Sequence, residues 1–204
     1  PVPTAWADLD VPPCTVCSAA TLRRSAYARV KKYGVKEVGD LIVGDVKSVG
    51  VASIGGNKVF ALFVDARSTR KFLYPMRDRT GILLAIERLL AQIKADTGRE
   101  VRCVHLDADP IHNTPKFELA VNKLGAALLV GSGGGHAEVS LAERGIGVLW
   151  GITVRILHHV TGERDEVGRL WVGAAREAVY IHNNTPSKSV HIPAGLTPSE
   201  VYFQ

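Results

Sequence analysis

The stretch "VHLDADPIHNTPKF" (residues 104–117) contains a short apolar run that stops on an aspartate. Asp107 ends the run, a second acid follows at Asp109, and Pro110 and Pro115 mark turns. A buried carboxylate costs several kcal/mol unless it is paired or binds a cation. The pattern therefore predicts a buried strand whose last side chain, Asp107, needs a partner.

The bulk composition is that of a globular protein of moderate size. Apolar residues make up 46% of the 204 residues and charged residues 22%, and the net charge is +5. This charge is compatible with a polyanionic partner. We find no apolar run of 18 residues, so we expect no membrane span, and no signal peptide is visible. The three cysteines, Cys14, Cys17 and Cys103, indicate a reducing compartment rather than a disulfide framework.

Hydrophobic periodicity outward from this stretch predicts an α/β domain with the order βββαβαβαα and a mixed sheet. The expected strands are 41–46, 58–65, 69–76, 100–106 and 126–131, and the expected helices are 80–98, 116–125, 138–159 and 165–183. Thr80 and Gly98 are the expected caps of the first helix. The glycine-rich segment 131–136 is expected to be mobile without a ligand.

Three acids stand out because they fall on three separate predicted elements. Asp45 lies in the first strand, Asp107 ends the fourth strand, and Glu143 lies on the helix after the glycine-rich segment, with 35 residues between the last two. Strand ends converge on one crevice in α/β sheets. Hard divalent ions prefer carboxylate oxygens, and two such ions can promote displacement at a phosphodiester. Glu138, on the same helix, is an alternative to Glu143.

These acids and their spacing resemble the catalytic core of retroviral and retrotransposon integrases, especially the Ty1/copia type. "LIVGDVKS" resembles the strand of the first aspartate, "CVHLDAD" that of the second and "LAERGIGVL" the glutamate helix. "VFALFVDARSTRKFLYPMRDRT" resembles the hairpin between them, and the Trp, Tyr-Ile-x-Asn and Thr-Pro-x-Glu motifs of residues 171–200 resemble the tail of that core. The likeness covers roughly residues 14–203.

The resemblance implies an RNase H-like fold, with a five-stranded mixed sheet flanked by helices. It also implies a metal-dependent polynucleotidyl transferase that trims 3′ DNA ends and joins them to target DNA. Asp45, Asp107 and Glu143 would bind two Mg²⁺ or Mn²⁺ ions. The implied partners are element and target DNA and a second copy of the chain, in a homodimer or larger assembly. The implied location is the nucleus, after a stage in a cytoplasmic particle.

The sequence departs from that family's pattern around both acids, which keeps alternatives open. Ala108-Asp109 follows the second aspartate where Asn-Gly is usual, and Gly145 and Gly147 interrupt the glutamate helix. One alternative is a decayed or domesticated core that binds DNA or self-associates without catalysis. Another is an RNase H-type nuclease.

We interpret residues 1–36 as an extended lead-in with a remnant Cys-x-x-Cys and a basic linker, and residues 37–204 as the catalytic core. Cys14 and Cys17 form half of a zinc site. We expect no zinc there in this chain alone, because no histidine pair precedes them. Asp109 is expected to be a turn residue, and Asp40, Asp65 and Asp78 surface or turn acids. Trp150 and Trp171 are expected in the core or a subunit interface.

Overall fold

The part of the chain that the structure describes contains one five-stranded mixed sheet. The computed structural model describes residues 35–131, 136–160, 164–187 and 192–204. The strands are β1 (Ile42–Ser48), β2 (Val59–Asp65), β3 (Lys71–Met76), β4 (Cys103–Leu106) and β5 (Ala127–Val130). They lie in the order β3-β2-β1-β4-β5. The first three form an antiparallel meander, and β4 and β5 continue the sheet in parallel to β1. This order confirms the expected RNase H-like fold.

Strand β2 divides the core into two layers, because all seven of its residues are buried. Ala61 and Phe63 face one side of the sheet, and Leu62 and Val64 face the other. The alternation is the period of two that a strand imposes on its side chains. A strand buried on both faces needs helices on both sides.

Helices cover both faces of the sheet. They are α1 (Ile82–Thr97), α2 (Pro115–Lys123), α3 (His136–His158), α4 (Arg164–Gly168), α5 (Trp171–Asn183) and α6 (Pro198–Tyr202). Helices α1, α2 and α6 pack on the face of Phe63, while α3 and α5 pack on the face of Leu62. Within the described ranges, no helix is both long enough and apolar enough to cross a membrane.

The prediction of one helix over residues 165–183 was wrong, because α4 and α5 are separated at Arg169 and Leu170. The carbonyl of Arg169 accepts a hydrogen bond from the amide of Ile54 at 3.1 Å. The indole of Trp171 donates to the carbonyl of Val51 at 3.1 Å, and only 1% of this residue is exposed. Trp171 is therefore a core anchor that docks the helix break onto the loop between β1 and β2.

The amino terminus of the first helix also differs from the prediction. A short 3₁₀ helix, Arg79–Gly81, precedes α1, and its cap is Asp78, which accepts from the amide of Thr80 at 2.8 Å. The hydroxyl of Thr80 also donates to the Asp78 carboxylate, so Asp78 is the cap and Thr80 lies inside the turn that it caps. Gly98 ends α1 in the left-handed conformation (φ 71°), as expected.

The expectation that Asp65 is a surface or turn acid was wrong, because Asp65 is the last residue of β2 and is buried. Its carboxylate accepts from the amide of Gly39 at 3.0 Å and from the amide and hydroxyl of Ser68 at 2.7 and 2.6 Å. These donors satisfy the carboxylate and explain how it is accommodated in the core.

Candidate active site

The register of the parallel strands places Asp45 and Asp107 next to each other. Ile42 pairs with Val104 and Val43 with His105. Two residues further along both strands, the same register brings Asp45 beside Asp107. The register therefore places the two residues side by side at the edge of the sheet where β4 ends.

The third acid, Glu143, approaches the same edge from helix α3. Val43 packs against Ala142 of α3, and the alternation of β1 places Asp45 on the same face as Val43. Glu143 follows Ala142 directly and is exposed. The contact between Val43 and Ala142 thus determines where α3 presents its glutamate.

The backbone of β1 beside Asp45 is tightly packed. A Cβ atom on Gly44 would lie 2.6 Å from the ring of Phe63 and 2.8 Å from a methyl of Leu106. No side chain larger than hydrogen fits there without movement of both neighbours. Gly44 therefore allows Phe63 and Leu106 to pack against β1 next to Asp45.

The pKa of Asp45 is affected by the charges of both other acids. Burial raises the pKa of Asp45 above its usual value, and the negative charges of Asp107 and Glu143 raise it further. The amide of Val46, which donates to the Asp45 carboxylate at 2.7 Å, and the positive charge of Arg79 act in the opposite direction. A carboxylate placed among like charges is a site that a cation would stabilise.

Asp107 is held by a histidine that the sequence did not single out. The Nδ1 atom of His112 lies 3.1 Å from Oδ1 of Asp107 and 3.4 Å from its carbonyl oxygen. Only 2% of the His112 side chain is exposed, compared with 39% of the Asp107 side chain. A histidine in a turn gives no sequence signal of such a contact, because its burial depends on residues that pack over it.

Arg79 and Asp109 form an ion pair at the same edge. Asp109 also accepts from the amide of Ile111 at 2.9 Å, and this bond, with the charge of Arg79, lowers the pKa of Asp109. Asp109 is thus the turn residue that the sequence indicated. Arg79 was missed, although it is a cation close enough to act on Asp45 as well.

The three acids do not form one compact ligand group. In the part of the chain that the structure describes, no three His, Cys, Asp or Glu side chains come close enough together to hold a single metal ion. Asp45 and Asp107 lie side by side, and Glu143 acts on Asp45 through its charge. Cys14 and Cys17, the three consecutive glycines 133–135 and the side chain of Glu138 lie outside the described residues.

Comparisons with known proteins relate the sequence to a retrotransposon polyprotein and the fold to a chain of a viral intasome. No family model matches the sequence. The chain is 24% identical over 109 residues, 53% of its length, to the "Retrovirus-related Pol polyprotein from transposon TNT 1-94" of Nicotiana tabacum, of which it spans 8%. The fold matches a chain of the simian T-cell lymphotropic virus intasome, solved in complex with PP2A regulatory subunit B56 gamma. The TM-score is 0.60 at 16% identity, over 82% of this chain and 55% of that chain.

Proposed function

We propose that this integrase-related chain is the catalytic core of a DNA integrase, a polynucleotidyl transferase that trims 3′ DNA ends and joins them to target DNA. The observation that carries the proposal is that the register of β1 and β4 places Asp45 beside Asp107, while the contact of Val43 with Ala142 brings the helix of Glu143 to the same face of the sheet. The relationship to a retrotransposon Pol polyprotein supports it.

The donor set suits Mg²⁺ or Mn²⁺, since all three side chains offer carboxylate oxygens. Mg²⁺ usually keeps several waters and is bound through one or two carboxylates together with substrate phosphates. The adjacent pair of Asp45 and Asp107, with Glu143 nearby, fits that mode even though no three side chains gather around one point. Two bound ions would activate the attacking hydroxyl and stabilise the leaving oxygen.

The proposed chemistry requires no protein nucleophile. In trimming, a water oxygen attacks the phosphorus and the bond to the retained 3′ oxygen breaks. In joining, that 3′-hydroxyl attacks a phosphodiester of the target and displaces another 3′ oxygen. The chain itself contributes the orientation of its three carboxylates. Partners would be element and target DNA and further copies of the chain, and the product would form in the nucleus.

The experiment is a strand-transfer assay with Mn²⁺ on the purified chain and a set of matched variants. Glu143→Gln is expected to lower the rate at least about 100-fold, a scale typical of removing one group that stabilises a transition state. Glu87→Gln, on the exposed side of α1, should leave the rate unchanged. Glu138→Gln distinguishes the rival glutamate, because five residues turn a helix by about 140° beyond a full revolution. A wild-type rate in Glu143→Gln would contradict the proposed site.

A second candidate is a non-catalytic core that binds DNA or self-associates. It is favoured by the exposure of Glu143 and by the failure of any three acidic, His or Cys side chains to gather within the described residues. DNA binding without Mn²⁺-dependent joining in the wild type would support it. Measurable joining that is lost in Asp107→Asn would exclude it.

A further inference from the structure

His112 lies in the connection between β4 and α2, directly beneath the carboxylate of Asp107. Its ring is buried, and it packs against the ring of Phe117 with 5.5 Å between the centroids. Nδ1 lies within hydrogen-bonding distance of Oδ1 of Asp107. A buried polar side chain aimed at a carboxylate that is partly exposed is the arrangement expected of a support for that carboxylate.

The connection is built to hold this ring in place. The carbonyl of Asp109 accepts from the amides of His112 and Asn113 at 2.9 and 3.1 Å. The hydroxyl of Thr114 then caps α2 by accepting from the amide of Phe117 at 3.2 Å. These local hydrogen bonds fix the backbone on both sides of His112, so the ring is oriented before any ligand binds.

The contacts also define the tautomer. Both atoms near Nδ1 are oxygens of Asp107, the carboxylate Oδ1 and the carbonyl oxygen, and both are acceptors. Nδ1 must therefore carry the proton and donate it to Asp107. The donated bond occupies Oδ1 and fixes the rotation of the carboxylate, which leaves Oδ2 free to bind a cation.

We propose that His112 is a positioning residue that orients Asp107 for a divalent ion, an inference that rests on the proposed function. The bond between Nδ1 and Oδ1 replaces a freely rotating carboxylate with one fixed direction. Partners that orient a metal ligand in this way typically contribute 10–100-fold to metal affinity. Because its ring is buried against Asp107, His112 would act only through that carboxylate.

The test compares His112→Asn, His112→Leu and His112→Gln, which differ in where they place a hydrogen-bond donor for Asp107. Asn places its amide nitrogen at the position of Nδ1, Leu has the same branching without a donor, and Gln carries its amide one bond further out. Mn²⁺ affinity is measured by calorimetry on the full chain, and circular dichroism establishes that each variant is folded. In metal-free wild type, two-bond ¹⁵N–¹H spectra of the imidazole report the tautomer.

We expect the Nδ1–H tautomer, an affinity within about threefold of wild type for His112→Asn, and a 10–100-fold loss for His112→Leu. His112→Gln should lose affinity like His112→Leu, and it replaces that variant if His112→Leu does not fold. The Nε2–H tautomer, or equal Mn²⁺ affinity in all three variants, would overturn the role of His112 alone. Failure of the wild-type chain to bind Mn²⁺ would overturn the proposed function, and the inference with it.

Discussion

At the scale of single residues, Asp45 is a partly buried carboxylate whose negative charge is repelled by the negative charges of two other carboxylates. The field that destabilises its ionised form is the field that would bind a cation. Under the proposed function, metal binding at this edge of the sheet would therefore go together with a lower stability of the metal-free protein.

Asp45→Asn is therefore expected to stabilise the metal-free protein at neutral pH. Because the pKa of Asp45 is raised in the folded state, the stability due to this group is present below pH 3.8 and is lost as the pH rises through the folded pKa. Asn carries no charge, so the variant does not lose this stability as the pH rises. Its side-chain oxygen can still accept the hydrogen bond from the amide of Val46. In EDTA at pH 7.5 it should unfold a few degrees higher, the scale that about 1 kcal/mol gives in a domain of this size. An advantage that persists at pH 3 would contradict this explanation.

Lys71 is a second ionisable residue whose charged form is destabilised by burial. It is 6% exposed, its ammonium lies against Nε2 of His182, and burial lowers the pKa of Lys71 to about 7. The pKa of His182 is lowered to about 4, first by burial and then by the charge of Lys71. The pair therefore shares one buried site with at most one positive charge near neutral pH.

Lys71→Met should stabilise the protein at pH 7 and do so less at pH 9.5. Folding releases the lysine proton between pH 7 and the unfolded value of 10.5, so wild-type stability gains from this group as the pH rises. The advantage of the variant should shrink by up to about 1.4 kcal/mol per pH unit. Urea denaturation at the two pH values measures this change, and a constant difference would show that folding does not lower the pKa of Lys71.

The sequence could locate the acids of the candidate site but not the partners that surround single residues. Asp45 and Asp107 could be located because each lies in or at the end of an apolar run and in a segment that resembles an integrase motif. The burial of Asp65 could not, because one of its donors, the amide of Gly39, comes from 26 residues upstream. The contact between His112 and Asp107 is local, but the ring is held by packing that no spacing shows.

At the scale of elements, helix α3 contacts the sheet through a glycine. A Cβ atom on Gly145 would lie 3.2 Å from methyls of Leu62 and Val64 and 3.3 Å from Cε of Lys71. Gly147, two residues along the same helix, has open space at that position. The two glycines that interrupt the expected pattern of the glutamate helix therefore have different surroundings, and only Gly145 has a packing role.

These glycines give a matched pair of substitutions. Gly147→Ala should stabilise the protein by about 0.5–1 kcal/mol, the difference in helix propensity. Gly145→Ala should gain nothing or destabilise, since the methyl must displace neighbours on β2. Chemical denaturation of both variants compares them directly. An equal gain from both would show that α3 does not approach the sheet as closely as described.

The end of α5 is a second feature that depends on contacts between distant parts of the chain. The amide of Asn183 in α5 donates to the carbonyl of Lys71 and its oxygen accepts from the Lys71 amide, both at 2.9 Å. The side chain thus takes the place of a next strand along the edge strand β3. This explains the Tyr-Ile-x-Asn motif, which the sequence could show only as a resemblance. The break between α4 and α5 is likewise set by Ile54, which no helical periodicity includes.

At the scale of the whole molecule, an exposed patch on α5 is the candidate self-association surface. Tyr180 is 65% exposed and Ile181 39%, whereas Trp171 of the same helix is buried. The periodicity predicted an apolar helix but could not separate the residues that face the sheet from those that face outward. An assembly surface would therefore use Tyr180 and Ile181 and not Trp171.

Tyr180→Glu is expected to weaken self-association at least about tenfold while the fold is retained, because a charge replaces an exposed aromatic anchor. Tyr180→Phe keeps the ring and should associate like wild type. Sedimentation velocity at micromolar concentration measures both. A wild-type chain that is monomeric at all concentrations would contradict self-association, and a dimer unaffected by Tyr180→Glu would move the interface elsewhere.

The central claim is that Asp45, Asp107 and Glu143 together bind divalent metal. Anomalous diffraction from crystals soaked in Mn²⁺ tests it most directly. The account predicts anomalous peaks bonded to carboxylate oxygens of Asp45 and Asp107, with Glu143 turned toward them. Crystals that show no peak at this edge of the sheet, or a peak held by Asp109 instead, would contradict it.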